Sequence, residues 1–182
     1  MAHLTPLWTA EAVSDPATIR SLLAERGIAY DHWTLPERVS ALANQARMSD
    51  EDKAEVLGHF QERLASLGEA SGYKSADVIA VRGDFPGVDD ALAKFDKVHY
   101  HDDDEIRAIV GGAGVFGFIS DDGRQLLLKV EAGDYISIPA GMWHWFYCLG
   151  DKNITALRLF RDPAGWVAHY RDTARGLPTP TA

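Results

Sequence analysis

The sequence is short of cysteine, of clustered positive charge and of long apolar runs. Its one cysteine, Cys148, has no second thiol in the chain with which to close a disulfide. That fits a reducing compartment, and a cytoplasmic location is expected. Lys and Arg together number 18 against 27 Asp and Glu, a formal charge of −9. No basic stripe gathers those cations, which argues against nucleic acid as a partner, because phosphate binding runs on clustered Lys and Arg. No apolar run approaches the roughly 18 residues that a membrane-spanning helix needs. The opening MAHLTPLWTAEAV has neither the basic region nor the apolar run of a signal peptide. No membrane partner is expected. What remains is an ordinary folded composition, 46% hydrophobic and 25% charged over 182 residues, enough for one well-cored domain.

The chain changes texture near its middle. In the first half, Ser14-Asp15-Pro16 opens a segment with Ile19, Leu22 and Leu23 on one face, and Gly27 closes it. These are helix start and stop signals. A second helix is expected from Ser49 to Leu67, with Val56, Leu57, Phe60, Leu64 and Leu67 at helical spacing. Ile28–Leu35 and Asp77–Val81 read as strands, and VDDALAKF, ending at Phe95, as a helical turn. From Val98 onward, short runs rich in Val, Ile, Phe and Tyr alternate with breaks such as Asp122-Gly123, Gly133-Asp134 and Gly150-Asp151. Five short strands with regular turns point to a barrel or sandwich. The expected fold is mainly β with α, its helices in the N-terminal half. One domain over 1–182 is expected: a helical and strand part over 1–95, a β-barrel core over 96–170, and a tail over 171–182.

The segment VHYHDDDEIRAIVGGAG places His99 and His101 one residue apart, with Glu105 following. Side chains two apart on a strand share a face. His99 and His101 therefore point together, and Glu105 has the parity to return to that face. His144 follows a Pro139-Ala140-Gly141 turn and supplies a third imidazole if its strand lies alongside. Three neutral nitrogens and one carboxylate oxygen suit a divalent first-row metal such as iron, nickel, manganese or zinc. The competing reading, a solvated acidic turn beside two unrelated histidines, is the commoner fate of His-x-His. It is the joint spacing that favours a metal.

That spacing, His99-x-His101-x3-Glu105-x6-Gly112 and then Gly133-x5-Pro139-x-Gly141-x2-His144, resembles the two-part motif of the cupin superfamily, whose fold is a double-stranded β-helix or jelly-roll barrel. One departure is Cys148, where the second motif often ends in Asn. That Asn is not a metal ligand, and Cys148 reads as a small apolar side chain. Nearly the whole chain is similar to the acireductone dioxygenase family of methionine salvage. The matching stretches are HYHDDDEIR, IPAGMWHWF, TALRLFRDPAGWVAHY, RGIAYDHW and GYKSADVIAVR.

The resemblance implies a dioxygenase that holds one Fe(II) or Ni(II) per chain through His99, His101, Glu105 and His144. Its implied partners are a small-molecule acireductone and O2, with different products from the two metals. Arg107, two residues past Glu105, and Arg158 are expected to face the pocket and meet the anionic substrate. On strand position alone each would be a surface arginine. Phe95, Phe146 and Trp166 match family positions lining the substrate's apolar end, although aromatics most often serve a core. Of Asp102, Asp103 and Asp104, one can accept from a ligand imidazole, and at least two are expected to be solvated. His3 (near a frayed end), His32, His59 and His169 are expected to take no part. A monomer is expected. The alternatives are a cupin that binds a small molecule without redox chemistry, and a sugar-phosphate isomerase, which would want more cationic groups than Arg107 and Arg158.

Overall fold

The computed structural model describes residues 2–9, 11–162 and 167–176. Elements run in the order β1 (His3–Pro6), α1 (Pro16–Ala24), β2 (Ala29–His32), α2 (Glu37–Ala43), α3 (Asp50–His59), α4 (Gln61–Ser71), β3 (Ser75–Val81) and α5 (Val88–Phe95). There follow β4 (His99–Tyr100), β5 (Glu105–Ile119), β6 (Gln125–Glu131), β7 (Asp134–Ile138), β8 (His144–Cys148), β9 (Ile154–Phe160) and β10 (His169–Tyr170).

Local chemistry explains most of the helical boundaries. The Asp15 carboxylate accepts from the Thr18 amide at 2.8 Å, and Pro16 occupies the first turn of α1, where its missing N–H costs nothing. Ser49 and Asp52 form a reciprocal capping box at α3. The single helix expected over Ser49–Leu67 is two. It breaks at Phe60, whose backbone leaves the helical region (φ −109°, ψ 8°) and whose ring turns into the core against Trp33, 5.6 Å between centroids. Helix α2 was absent from the sequence reading: it starts directly after Pro36 and buries Val39, Leu42 and Ala43. The N-terminus is not frayed at His3, because β1 pairs along its whole length with β6, His3 opposite Lys129 and Pro6 opposite Leu126.

All strand pairings are antiparallel, and β5 belongs to two sheets. Its first half pairs with β7 and β9, which extend outward to β2 and β3. Its second half pairs with β6 and β8, and that sheet runs on through β4 to β10 and, beyond β6, to β1. Two sheets folded about one shared strand make the expected jelly-roll barrel. Alternation along β5 sorts its side chains: Ile109, Phe116 and Phe118 fill the barrel, while Ile106, Ala108 and Val110 face outward in one cluster with Val39 and Leu42 of α2 and Val56 of α3.

The strand changes sheets at Gly111–Gly114. Gly112 has φ +69°, and a Cβ there would lie 1.9 Å from the Asn153 carbonyl oxygen. Gly112→Ala is therefore expected to cost at least about 1–2 kcal/mol from the backbone alone. The corresponding drop in Tm of at least about 2 °C is readable by thermal denaturation, and an unchanged Tm would contradict the crossing-point assignment.

Candidate metal centre

The topology brings the motif residues to one end of the barrel. His99 on β4 lies directly opposite His144 on β8, and their rings stand 4.5 Å apart. His101 follows β4, and Glu105 opens β5. The four donor atoms, one from each of His99, His101, Glu105 and His144, all lie within 4.8 Å of one another. None of the four residues is more than 5% exposed.

Each imidazole is oriented by a backbone carbonyl. Nδ1 of His99 lies 2.7 Å from the Lys97 oxygen, Nδ1 of His144 2.8 Å from the Met142 oxygen, and Nδ1 of His101 3.2 Å from the Val167 oxygen. A carbonyl only accepts, so each Nδ1 carries the hydrogen and each Nε2 keeps its lone pair when the ring is neutral. Burial, reinforced by His144, lowers His99 to about 4, so this ring is neutral at pH 7. The Nε2 atoms of His144 and His101 face Oε2 of Glu105 at 2.9 and 3.3 Å. Burial alone would raise the Glu105 carboxyl, but Arg107, His144 and His101 outweigh it and hold the group well below the usual range. A ring nitrogen stands that close to a carboxylate oxygen either by donating a hydrogen to it or across a cation that both groups bind, and the neutral rings with Nε2 bare suit the second. Bonds of about 2.1 Å to one ion would put neighbouring donors about 3.0 Å apart and opposite donors about 4.2 Å apart. The donor set fits a divalent ion.

Arg107 lies beside this group. Its Nη2 is 3.0 Å from Oε1 of Glu105 and its Nη1 donates to the Ile106 carbonyl. Burial lowers the guanidinium to about 10, still charged at pH 7. Arg107 thus occupies one carboxylate oxygen and leaves the other directed at the imidazoles. Arg158 is opposite Arg107 across β5 and β9, and its Nε donates to Asp77 at 2.8 Å. It lines a cleft that also reaches Phe95 and His101. A second cavity of about 60 Å3 is floored by Glu105 and Arg107 and walled by Ile79, Leu92, Phe95, Ile109, Phe116 and Phe146. Phe95 and Phe146 both line this cavity. Trp166 lies outside the described residues.

The sequence reading missed Ile79, Leu92, Ile109 and Phe116 as cavity walls. A signal existed for Leu92, which sits three residues before Phe95 and hence on the same face of α5. The acidic turn also differs from expectation. Asp103 and Asp104 are only 12% and 18% exposed at the side chain and pair with Arg161. Only Asp102 is largely exposed, and it meets His169 at 2.8 Å. The acceptors for the imidazoles are carbonyls. His32 is 3.0 Å from Asp134, His59 is exposed, and none of His3, His32, His59 and His169 joins the cluster.

Jelly-roll barrel and three-histidine, one-carboxylate cluster together define a cupin-type metal site. The ARD/ARD′ family model matches residues 10–168. An acireductone dioxygenase of Leptospira interrogans is 41% identical over 165 residues, covering 91% of this chain and 93% of the relative. One of Geobacillus kaustophilus is 36% identical over 170 residues, with 93% and 94% covered. Among solved structures, an acireductone dioxygenase from Bacillus anthracis with a cadmium ion in its active centre superposes with a TM-score of 0.87 at 33% identity, covering 93% of this chain and 98% of that one. The chain belongs to the ARD/ARD′ family, a family of dioxygenases.

Proposed function

We propose that this chain is a metal-dependent acireductone dioxygenase of methionine salvage, acting as a monomeric single-domain protein in the cytoplasm. It takes an acireductone, 1,2-dihydroxy-3-keto-5-methylthiopentene, and O2. With Fe(II) the products are formate and 4-methylthio-2-oxobutanoate; with Ni(II) they are formate, carbon monoxide and 3-methylthiopropanoate. The observation that carries the reading is the set of four convergent donors, each histidine fixed with Nε2 inward, beside an apolar cavity whose only charged lining among the described residues is Glu105 and Arg107.

His99, His101, Glu105 and His144 would hold the ion, which supplies Lewis-acid binding of the substrate's oxygens. Arg107 keeps Glu105 ionised and stands where an enediolate anion would be met by a buried cation. Phe95, Phe146, Ile79 and Leu92 would enclose the methylthio tail and exclude water from the reacting carbons. Arg158, held by Asp77, is placed to contact the anion at the cleft. The two arginines are each matched by a carboxylate, which disfavours the phosphate site an isomerase of sugar phosphates would need.

The test is product analysis under air, with apo-protein reloaded separately with Fe(II) and Ni(II) and given a freshly generated acireductone. Oxygen uptake from both forms is expected, with 2-oxo acid from iron and carbon monoxide from nickel. No uptake above the uncatalysed background, with metal bound, would sink the assignment and favour a non-redox cupin. A finer test concerns the tail. A Cβ on Gly114 would lie 2.4 Å from the Phe146 ring, so Gly114→Ala should push that ring into the cavity. About a tenfold rise in KM, about 1.4 kcal/mol, with unchanged metal content is the expected result.

A further inference from the structure

The turn between His101 and Glu105 is tied to three other parts of the chain. Asp104 Oδ1 accepts from the Ala140 amide at 3.1 Å, in the turn that leads to His144. Beside it, the Gly141 amide donates to the His101 carbonyl at 2.9 Å. Two cross-links thus join the segment carrying His99, His101 and Glu105 to the segment carrying His144. Arg161, just beyond β9, closes the arrangement from outside. Its Nη2 donates to Asp104 Oδ2 at 2.6 Å, its Nη1 lies 3.4 Å from Asp103 Oδ1, and its Nε donates to the Ser71 carbonyl at 2.8 Å. Its guanidinium also lies over the Tyr73 ring, 5.3 Å from the centroid. Asp103 accepts in turn from the backbone amides of Arg161 and Asp162.

We propose that Asp104 and Arg161 are positioning residues of the metal centre, fixing the separation of its two ligand-bearing segments. This rests on reading the four-residue cluster as a metal site. Asp104 immediately precedes the ligand Glu105, so the hydrogen bond to Ala140 sets where β5 begins relative to the turn before His144. The Arg161 guanidinium at Asp104 Oδ2, with the weaker Tyr73 hydroxyl 3.4 Å from the same oxygen, holds the carboxylate with Oδ1 toward the Ala140 amide. Without the grip, the turn gains freedom, and the ion must organise the ligands as it binds. The cost appears as lost affinity, as it does when an outer hydrogen-bond partner of a metal ligand is removed.

The experiment uses apo-protein titrated with Co(II) against a chromogenic chelator, recording the visible bands of bound Co(II), which report ligand geometry. Asp104→Asn and Arg161→Ala are expected to weaken Co(II) binding about 10–100-fold and to shift those bands. Arg161→Lys, which keeps the charge and loses the fork, should recover part of the affinity. Arg47→Ala, which breaks the exposed Arg47–Asp84 pair far from the site, should leave affinity and bands unchanged. Wild-type affinity and wild-type bands in both Asp104→Asn and Arg161→Lys would overturn the proposal, whatever happens to Tm, and would do so even if Arg161→Ala fails to fold. A wild-type chain that binds no Co(II) would overturn the metal reading itself, and the positioning role with it. Normal wild-type binding with unaffected variants removes the positioning role alone.

Discussion

A chain carrying His144→Ala is expected to bind its metal more than about 100-fold more weakly, beyond the loss typical of an outer partner, and to lose turnover with it. His144 meets all three of the other cluster residues. Its Nε2 is 2.9 Å from Glu105 Oε2, and its ring lies tilted against those of His99 and His101, with centroids 4.5 and 5.5 Å away. Removing the imidazole deletes one donor and one of the groups that keep the buried Glu105 ionised. It also leaves a hole that water can enter beside two remaining donors. Because His144 pairs with β4 and β5 through its backbone, the strand itself should persist, and far-UV circular dichroism should be close to wild type. Metal content after desalting and oxygen uptake are the readouts. Full occupancy with normal turnover would refute the ligand assignment, and His99→Ala gives the same test from the facing strand.

Arg107→Ala should act differently, through stability as well as rate. Arg107 and Glu105 are both buried and 3.0 Å apart. Deleting one partner of a buried pair leaves an uncompensated charge and costs about 3–5 kcal/mol. For a chain of this length that lowers the apo Tm by roughly 6–20 °C. A divalent ion would supply the missing positive charge, so metal should stabilise the variant more than it stabilises wild type. Metal is still expected to bind, since every donor remains, but kcat/KM should fall because the anion loses its buried cation. Thermal scans with and without metal, followed by steady-state kinetics, separate the two effects. Unchanged Tm and unchanged kinetics would place Arg107 outside the machinery.

Part of the ligand set was legible in the sequence because strand periodicity is local. Spacing puts His99 and His101 on one face, but a turn separates them from Glu105 at the start of β5, so Glu105 and His144 were legible only through the joint spacing of the two motif segments. The barrel was legible in kind, from short apolar runs between Gly and Asp-Gly breaks. Its central feature was not. The run from Glu105 to Ile119 contains Gly111, Gly112, Gly114 and Gly117, which weaken any strand signal. Only pairing with distant strands on both sides shows that it is one continuous element. Helix α2 and the break at Phe60 escaped for a similar reason: Trp33 and the outer face of β5 decide where those helices sit, and neither is near in sequence. The carbonyls that orient the imidazoles carry no side-chain signature. Arg161 and Asp104 are separated by 57 positions, and nothing in either stretch points to the other.

The Val167 carbonyl has a consequence for the order in which the centre is completed. His99, His101, Glu105 and His144 have all been synthesised by the end of β8, yet the acceptor that fixes His101 arrives only after β9 has been made and the chain has returned to lay β10 beside β4. A nascent chain stopped short of that return would hold three ligands in register and a fourth free to rotate. Tight metal capture therefore becomes a late event in the life of the polypeptide, after translation has passed residue 167. A variant truncated before this point would be expected to exchange its ion readily, even with every ligand present.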